Sequence, residues 1–421
     1  MLLVRGGQTL SGSVTVSGSK NATLPLIAAA LFFKKATLRN VPDISDVRTL
    51  LTIVRSVGGK AEFENNVLRI ETGDMKKETM DLALVSKIRA SILLVPAFLR
   101  AFGSVDIPYP GGCNIGKRPI DVFVNGFLEI GYVGDYSDSG VSLSGKPREG
   151  DVEFSAGSAV TATESLILAN VLRKGKTRIF LSAIEPHVIC LIDFLNAHGA
   201  KITVGYDHTV EIEGVEALAE EADGTVISDY IESGTFVALA ALAAKDFVDV
   251  KNARVADLHA FLSKCKEAGV RYEELPGDTL RVYRSIENLK SLRVMTNFFP
   301  GFPTDLQSPF VILMTQAEGV SRIEEIVYES RLNWLVEIEK MKGHPAILNP
   351  NTALIFGKTH LRGATVSSWD LRAGVAMILA GLVATGETRI TNVEYIERGY
   401  EDIIGKIRSL GAVIEKIDAT A

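Results

Sequence analysis

Cysteine is scarce in this 421-residue chain: Cys113, Cys190 and Cys265 stand far apart with no paired spacing. That excludes a disulfide framework and a thiolate zinc site, and it favours reduced thiols. Histidine is nearly as rare. Its six copies form no metal-ligand pattern, and His187, two residues after Glu185, is the nearest approach to one. Long apolar runs are missing too, since Ser91 to Leu99, interrupted by Pro96, and Ala373 to Ala384 are too short to span a bilayer. The opening Met1-Leu2-Leu3-Val4 meets Arg5-Gly6-Gly7 too early for a signal peptide, so a cytoplasmic protein is expected. A net charge of -6 argues against a general nucleic-acid binder. Neither a Walker lysine loop nor a strand-linked Gly-x-Gly-x-x-Gly occurs.

What the chain does have is repetition. A pattern of helix, strand, helix, glycine stop, strand, turn and strand recurs six times at a period of about 70 residues. In the first copy a small-residue apolar helix is predicted from Asn21 to Phe33 and a strand from Ala36 to Val41. A second helix starts near Asp43 and stops at Gly58-Gly59, before strands Lys60 to Phe63 and Val67 to Ile70. The terminating glycine recurs as Gly131, Gly199, Gly269, Gly343 and Gly411, where a left-handed C-cap is easiest. First helices recur at Ala90 to Arg100, Ala159 to Leu172, Thr235 to Ala244, Gln307 to Glu318 and Ala373 to Thr385. All are apolar around most of their circumference and should be buried. The expected fold class is therefore α/β, a two-domain inside-out arrangement with helices inside, sheets outside and three repeated units per domain. Residues 19–227 are expected to form one domain, and residues 1–18 with 228–421 the other.

Only the second copy is interrupted, by Pro110-Gly111-Gly112-Cys113-Asn114-Ile115-Gly116-Lys117-Arg118. Its glycines loosen the backbone, and Lys117 and Arg118 favour a thiolate at Cys113. Cys190 and Cys265 sit in helical patterns and read as core residues. Basic residues fall where helices are predicted to start, at Lys20, Arg89, Arg118, Arg372 and Arg398, against the helix dipole. Taken singly, each is a solvated charge or the partner of an acidic neighbour; taken together, they point to a strongly anionic ligand.

Gly18-Ser19-Lys20-Asn21-Ala22, Arg89-Ala90-Ser91, Pro110-Gly111-Gly112-Cys113 with Arg118-Pro119-Ile120-Asp121, and Ile231-Glu232-Ser233-Gly234-Thr235-Phe236 come in that order. Phe302-Pro303-Thr304-Asp305, Glu329-Ser330-Arg331, Asp370-Leu371-Arg372 and Arg398-Gly399-Tyr400 follow. Over essentially the whole chain this series resembles the UDP-N-acetylglucosamine 1-carboxyvinyltransferase family. The resemblance implies enolpyruvyl transfer from phosphoenolpyruvate to the 3-hydroxyl of UDP-N-acetylglucosamine with release of phosphate, the first committed step of peptidoglycan synthesis. It implies neither metal nor organic cofactor, and small-molecule substrates with no nucleic-acid or membrane partner; the chain is expected to be a monomer. Phosphoenolpyruvate contacts carry over to Lys20, Asn21, Arg118, Arg331, Arg372 and Arg398. UDP-sugar contacts carry over to Arg89, Arg118, Pro119, Ile120, Asp121, Val122, Ser155, Ala156, Gly157, Asp305 and Val327. Cys113 is expected to act as the acid, Asp305 as the base, and Lys20 beside them as a catalytic cation.

The chain departs from the family pattern at Ala156, at the acidic Glu153 just before it, at His187 after Glu185-Pro186, and at Tyr230 after Asp229. These departures bear on the UDP side of the third copy. Two other readings stay open on sequence alone: 5-enolpyruvylshikimate-3-phosphate synthase, and a catalytically silent paralogue that binds a UDP-sugar.

Overall fold

The structure, a computed structural model, describes residues 1–73, 75–77, 80–109, 111, 120–137 and 139–418. These fall into two compact units, one of residues 1–17 and 228–418 and one of residues 18–111 and 120–227.

In the unit of residues 1–17 and 228–418, three helices, Tyr230–Ala243, Gln307–Thr315 and Leu371–Val383, pack on one another. Every residue of the first is buried, as an all-round apolar helix requires. Their starts are written in the sequence. Asp229 accepts hydrogen bonds from the backbone N–H groups of Ile231 and Glu232, and Asp370 accepts from those of Arg372 and Ala373. Three four-stranded sheets contribute buried residues to the same core. The first runs Tyr272–Leu275, Thr279–Tyr283, Ala244–Lys251, Leu10–Thr15; the second Arg293–Met295, Gly319–Glu324, Thr352–Gly357, His344–Asn349; the third Thr365–Ser367, Glu387–Thr391, Leu2–Arg5, Ile414–Lys416. Each contains one parallel pair. In the second and third sheets the two parallel strands are consecutive and flank a buried helix, because a parallel partner is reached only through a crossover.

The unit of residues 18–111 and 120–227 is built on helices Lys20–Ala30, Val95–Phe102 and Val160–Asn170. Its sheets run Glu221–Thr225, Lys35–Arg39, Val67–Glu71, Lys60–Glu64, and Ile202–Val204, Val210–Glu213, Lys176–Phe180, Val152–Ser155. A third, of three strands among the described residues, runs Ser104–Pro108, Gly140–Ser144, Val133–Ser137. Strands bury one face: in Val67–Glu71, Leu68 and Ile70 are buried while Arg69 is exposed.

Local chemistry altered three expectations. The helix expected over Ala90 to Arg100 is a 3-10 turn, Arg89–Leu94, followed by the α-helix Val95–Phe102, with Pro96 in its first turn where no N–H is required. The left-handed residue after the second helix is a glycine at Gly58, Gly131, Gly199, Gly269 and Gly411, but Lys342 takes that conformation before Gly343. Gly343 is needed for a different reason, since a Cβ there would lie 2.2 Å from Ile338 Cγ2. Finally, Arg398 does not open a helix, and neither does the site residue Arg331. Arg331 lies in turns ahead of Leu335–Lys340, and Arg398 closes the 3-10 segment Val393–Arg398, a C-terminal position that suits a cation.

Candidate functional site

Around Asp305, charges that sit far apart in sequence gather. Asp305 lies on the 3-10 turn Thr304–Leu306 that leads into the buried helix Gln307–Thr315. Its Oδ1 accepts from Arg331 Nη2 at 2.8 Å, and its Oδ2 accepts from Arg372 Nε at 3.1 Å and Nη2 at 2.9 Å. Arg331 also donates through Nη1 to Thr304 Oγ1 at 2.9 Å. Both guanidinium side chains are 2% exposed, whereas Asp305 keeps 26% of its side chain open. The Tyr400 ring centroid lies 5.1 Å from Arg372 Cζ, and the Tyr328 ring 5.5 Å from Arg331 Cζ. Arg398 closes the turn two residues before Tyr400.

Two guanidinium groups share the Asp305 carboxylate, and Asp370 and Glu325 at Arg331 and Asp229 at Arg372 add negative charge nearby. Burial pushes the Asp305 carboxyl up, but Arg372 and Arg331 outweigh it and hold it well below the usual carboxylate range. Burial likewise disfavours both arginine cations, yet Asp305 with Tyr400 at Arg372, and Asp305 with Asp370 at Arg331, hold them above the ordinary arginine value. Arg331 Nε and Arg372 Nη1 are buried without a hydrogen-bond partner among the described residues. Buried guanidinium N–H groups left over in this way are what a bound carboxylate or phosphate satisfies. The sequence marked Asp305, Arg331 and Arg372 as site residues; Thr304 and Tyr400 stood in the motifs that carry the resemblance but were given no role.

In the unit of residues 18–111 and 120–227, Lys20 is the first residue of its helix, and its Nζ lies 2.9 Å from Asp46 Oδ2 in the first turn of Ser45–Ser56. Lys20 is thus the partner of an acidic neighbour, and Asn21 follows on the same turn. With side chains 11% and 5% exposed, the pair is mostly buried, and removing the carboxylate takes a close counter-charge from a mostly buried cation. Asp46→Asn is expected to lower the unfolding free energy by about 3 kcal/mol, as read from the urea midpoint at unchanged slope.

Arg89 opens its 3-10 turn with Cζ 6.0 Å from the Tyr109 ring centroid. Ile120 is buried ahead of helix Asp121–Glu129, and Asp121 Oδ1 is buried with no hydrogen-bond partner among the described residues. Val122 meets the segment Ser155, Ala156 and Gly157 at the end of strand Val152–Ser155: a Cβ on Gly157, whose φ is +55°, would sit 3.6 Å from Val122 Cγ2. Ser155 Oγ accepts from Gly157 N at 3.1 Å, and Ala156 is buried. Glu153 points its charge elsewhere, to Arg178 at 3.2 Å, while His187 and Tyr230 are buried. Val327 lies in the other unit and follows Glu325, to which its N–H donates. Cys113, Arg118 and Pro119 lie outside the described residues. Among the described residues no cluster of His, Cys, Asp and Glu suits a metal ion, and no helix is long and apolar enough to cross a membrane.

The model of the family EPSP synthase (3-phosphoshikimate 1-carboxyvinyltransferase) matches residues 4–407. A UDP-N-acetylglucosamine 1-carboxyvinyltransferase from Halothermothrix orenii is 39% identical over 99% of both chains. The chain belongs to that family. UDP-N-acetylglucosamine 1-carboxyvinyltransferase 2 of Listeria monocytogenes serotype 4b is 38% identical, over 99% of this chain and 98% of its own. Among solved structures, the enolpyruvyl transferase NikO from Streptomyces tendae superposes with a TM-score of 0.88 at 24% identity over 98% of each chain. An EPSP synthase from Acinetobacter baumannii gives 0.74 at 16% over 98% of this chain and 99% of its own. At these identities the two structures speak to the fold alone.

Proposed function

We propose that this chain transfers the enolpyruvyl group of phosphoenolpyruvate to the 3-hydroxyl of UDP-N-acetylglucosamine and releases phosphate. The observation that carries this reading is the buried arginine pair on Asp305 with two guanidinium N–H groups left over, in a chain of this family. Phosphoenolpyruvate bears a carboxylate and a phosphate on three carbons, and planar guanidinium forks suit both. In this reading Arg331, Arg372, Arg398, Lys20, Asn21 and Arg118 hold that substrate, and the UDP-sugar meets Arg89, residues 118–122, Ser155 to Gly157, Asp305 and Val327.

The chemistry needs an acid and a base. Cys113 gives a proton to the methylene carbon as the sugar 3-hydroxyl attacks the adjacent carbon, and Asp305 takes the hydroxyl proton. The arginines stabilise the tetrahedral intermediate, which then loses phosphate as the added methyl proton is removed and the double bond reforms. Asp305 in its present partnership is a weak base. An anionic substrate that engages Arg331 and Arg372 competes for them and raises its basicity, so the base is armed when the substrate is bound.

The same reading carries the finer architecture and setting: two inside-out domains, 19–227 and 1–18 with 228–421, three repeated units in each, in a cytoplasmic monomer without a cofactor. The test of function is phosphate release from phosphoenolpyruvate. Release is expected with UDP-N-acetylglucosamine and not without it; release with shikimate 3-phosphate in its place would favour the shikimate reaction, and release with neither would favour a silent paralogue.

A further inference from the structure

Glu325 follows the strand Gly319–Glu324 and is wholly buried. Its Oε1 accepts from Thr296 Oγ1 at 2.8 Å and from the backbone N–H groups of Val327 at 2.8 Å and Tyr328 at 3.2 Å. Its Oε2 accepts from Thr304 Oγ1 at 2.8 Å and Gln307 Nε2 at 3.1 Å. The backbone is pinned too, because Glu325 N donates to Asn351 O and Asn351 Nδ2 donates back to Glu325 O.

A carboxylate only accepts, so all five donors point at it. Thr304 has one hydroxyl hydrogen, and that hydrogen is committed to Glu325. Its lone pairs therefore face Arg331 Nη1 at 2.9 Å, and the same guanidinium sets Nη2 on Asp305 at 2.8 Å. Were the hydroxyl hydrogen to turn onto Arg331 Nη1, that contact would be lost.

We infer that Glu325 is a positioning residue for enolpyruvyl transfer: it holds the Thr304 hydroxyl as an acceptor, which fixes Arg331 against Asp305 and the anionic substrate. The inference rests on the proposed reaction and deepens it. A carboxamide at position 325 would present an NH2 group to one of the five donors. The backbone N–H groups on one side cannot turn, and on the other Gln307 is held by Trp334, whose Nε1 donates to its Oε1 at 3.3 Å. Thr304 is the partner that gives way most easily, and its hydroxyl, once released from Glu325, is no longer held as an acceptor for Arg331.

Phosphate release by the full chain, with both substrates varied, tests this. Glu325→Gln and Thr304→Val are each expected to lower kcat about tenfold or more and to raise KM for phosphoenolpyruvate, as small misplacements of catalytic groups do. The double variant is expected to stay within about twofold of the worse single one, because both changes cut one line. Losses that multiply would show Glu325 acting through general structure and overturn the inference, as would an unchanged kcat in either single variant. If Glu325→Gln gives no cooperative unfolding transition, Thr304→Val decides: wild-type kcat overturns the inference, and a tenfold loss in a folded protein supports it. No release by the unaltered chain would sink the reaction and this inference with it, an outcome distinct from any confined to the variants.

Discussion

Exchanging Arg372 for lysine is expected to lower kcat/KM for phosphoenolpyruvate between about a hundredfold and a thousandfold, the effect of removing one preorganised donor from a developing negative charge. The exchange keeps the charge and removes the fork. Arg372 places Nε and Nη2 on Asp305 while Nη1 stays buried and unengaged, so one side chain reaches the carboxylate and still offers an N–H to a ligand. An ammonium has no such fixed division of donors, and Tyr400 would lose the flat cation against its ring. Steady-state phosphate release across a range of phosphoenolpyruvate concentrations measures the loss. A decrease smaller than about fivefold, in a variant that melts like the parent, would remove Arg372 from substrate binding.

Asp305→Asn is expected to act on both turnover and stability. Loss of the base should lower kcat by about three orders of magnitude. Two guanidinium groups, each 2% exposed, would also face a neutral amide, a change of about 3 kcal/mol or more at neutral pH. The sign with pH follows from Asp305 itself. Its folded-state value lies below its unfolded one, so the carboxylate stabilises the fold above pH about 4 and that contribution is lost as the pH falls through the lowered folded value. The gap in stability between parent and variant should therefore be full at pH 7 and narrow in acid. Inorganic phosphate should raise the melting temperature of the variant more than that of the parent, because it replaces a missing counter-charge. Equal shifts in the two proteins would mean that phosphate does not reach the arginine pair.

Elements were legible wherever period and caps agreed. The apolar stretch around Thr235 to Ala244 reads as a buried helix, and the structure extends it back to Tyr230 because Asp229 caps it. Pro96 was visible as an interruption, but not that it would split a 3-10 turn from an α-helix. Asp305, Arg331 and Arg372 could not be joined by spacing, and their meeting was expected only from the family resemblance. The dipole argument for basic helix starts was incomplete: Lys20 meets Asp46, and Arg398 ends a 3-10 segment. Glu325 was hidden among charges in Arg322-Ile323-Glu324-Glu325. Glu324, itself 8% exposed, pairs with Arg293 and Arg322, whereas Ser321, Ile323 and Glu325 are fully buried. A strand period of two was the one available signal, and it is weak when the buried residue carries a charge.

The central claim, that a cationic pair built on Asp305 serves enolpyruvyl transfer to a UDP-sugar, is met most directly by the mass and proton spectrum of UDP-N-acetylglucosamine recovered after incubation with the protein and phosphoenolpyruvate. The account predicts a nucleotide sugar heavier by one enolpyruvyl group, attached at the 3-oxygen, formed by the parent and reduced to trace by Arg372→Lys. A nucleotide sugar recovered unchanged while the protein remains folded would contradict it.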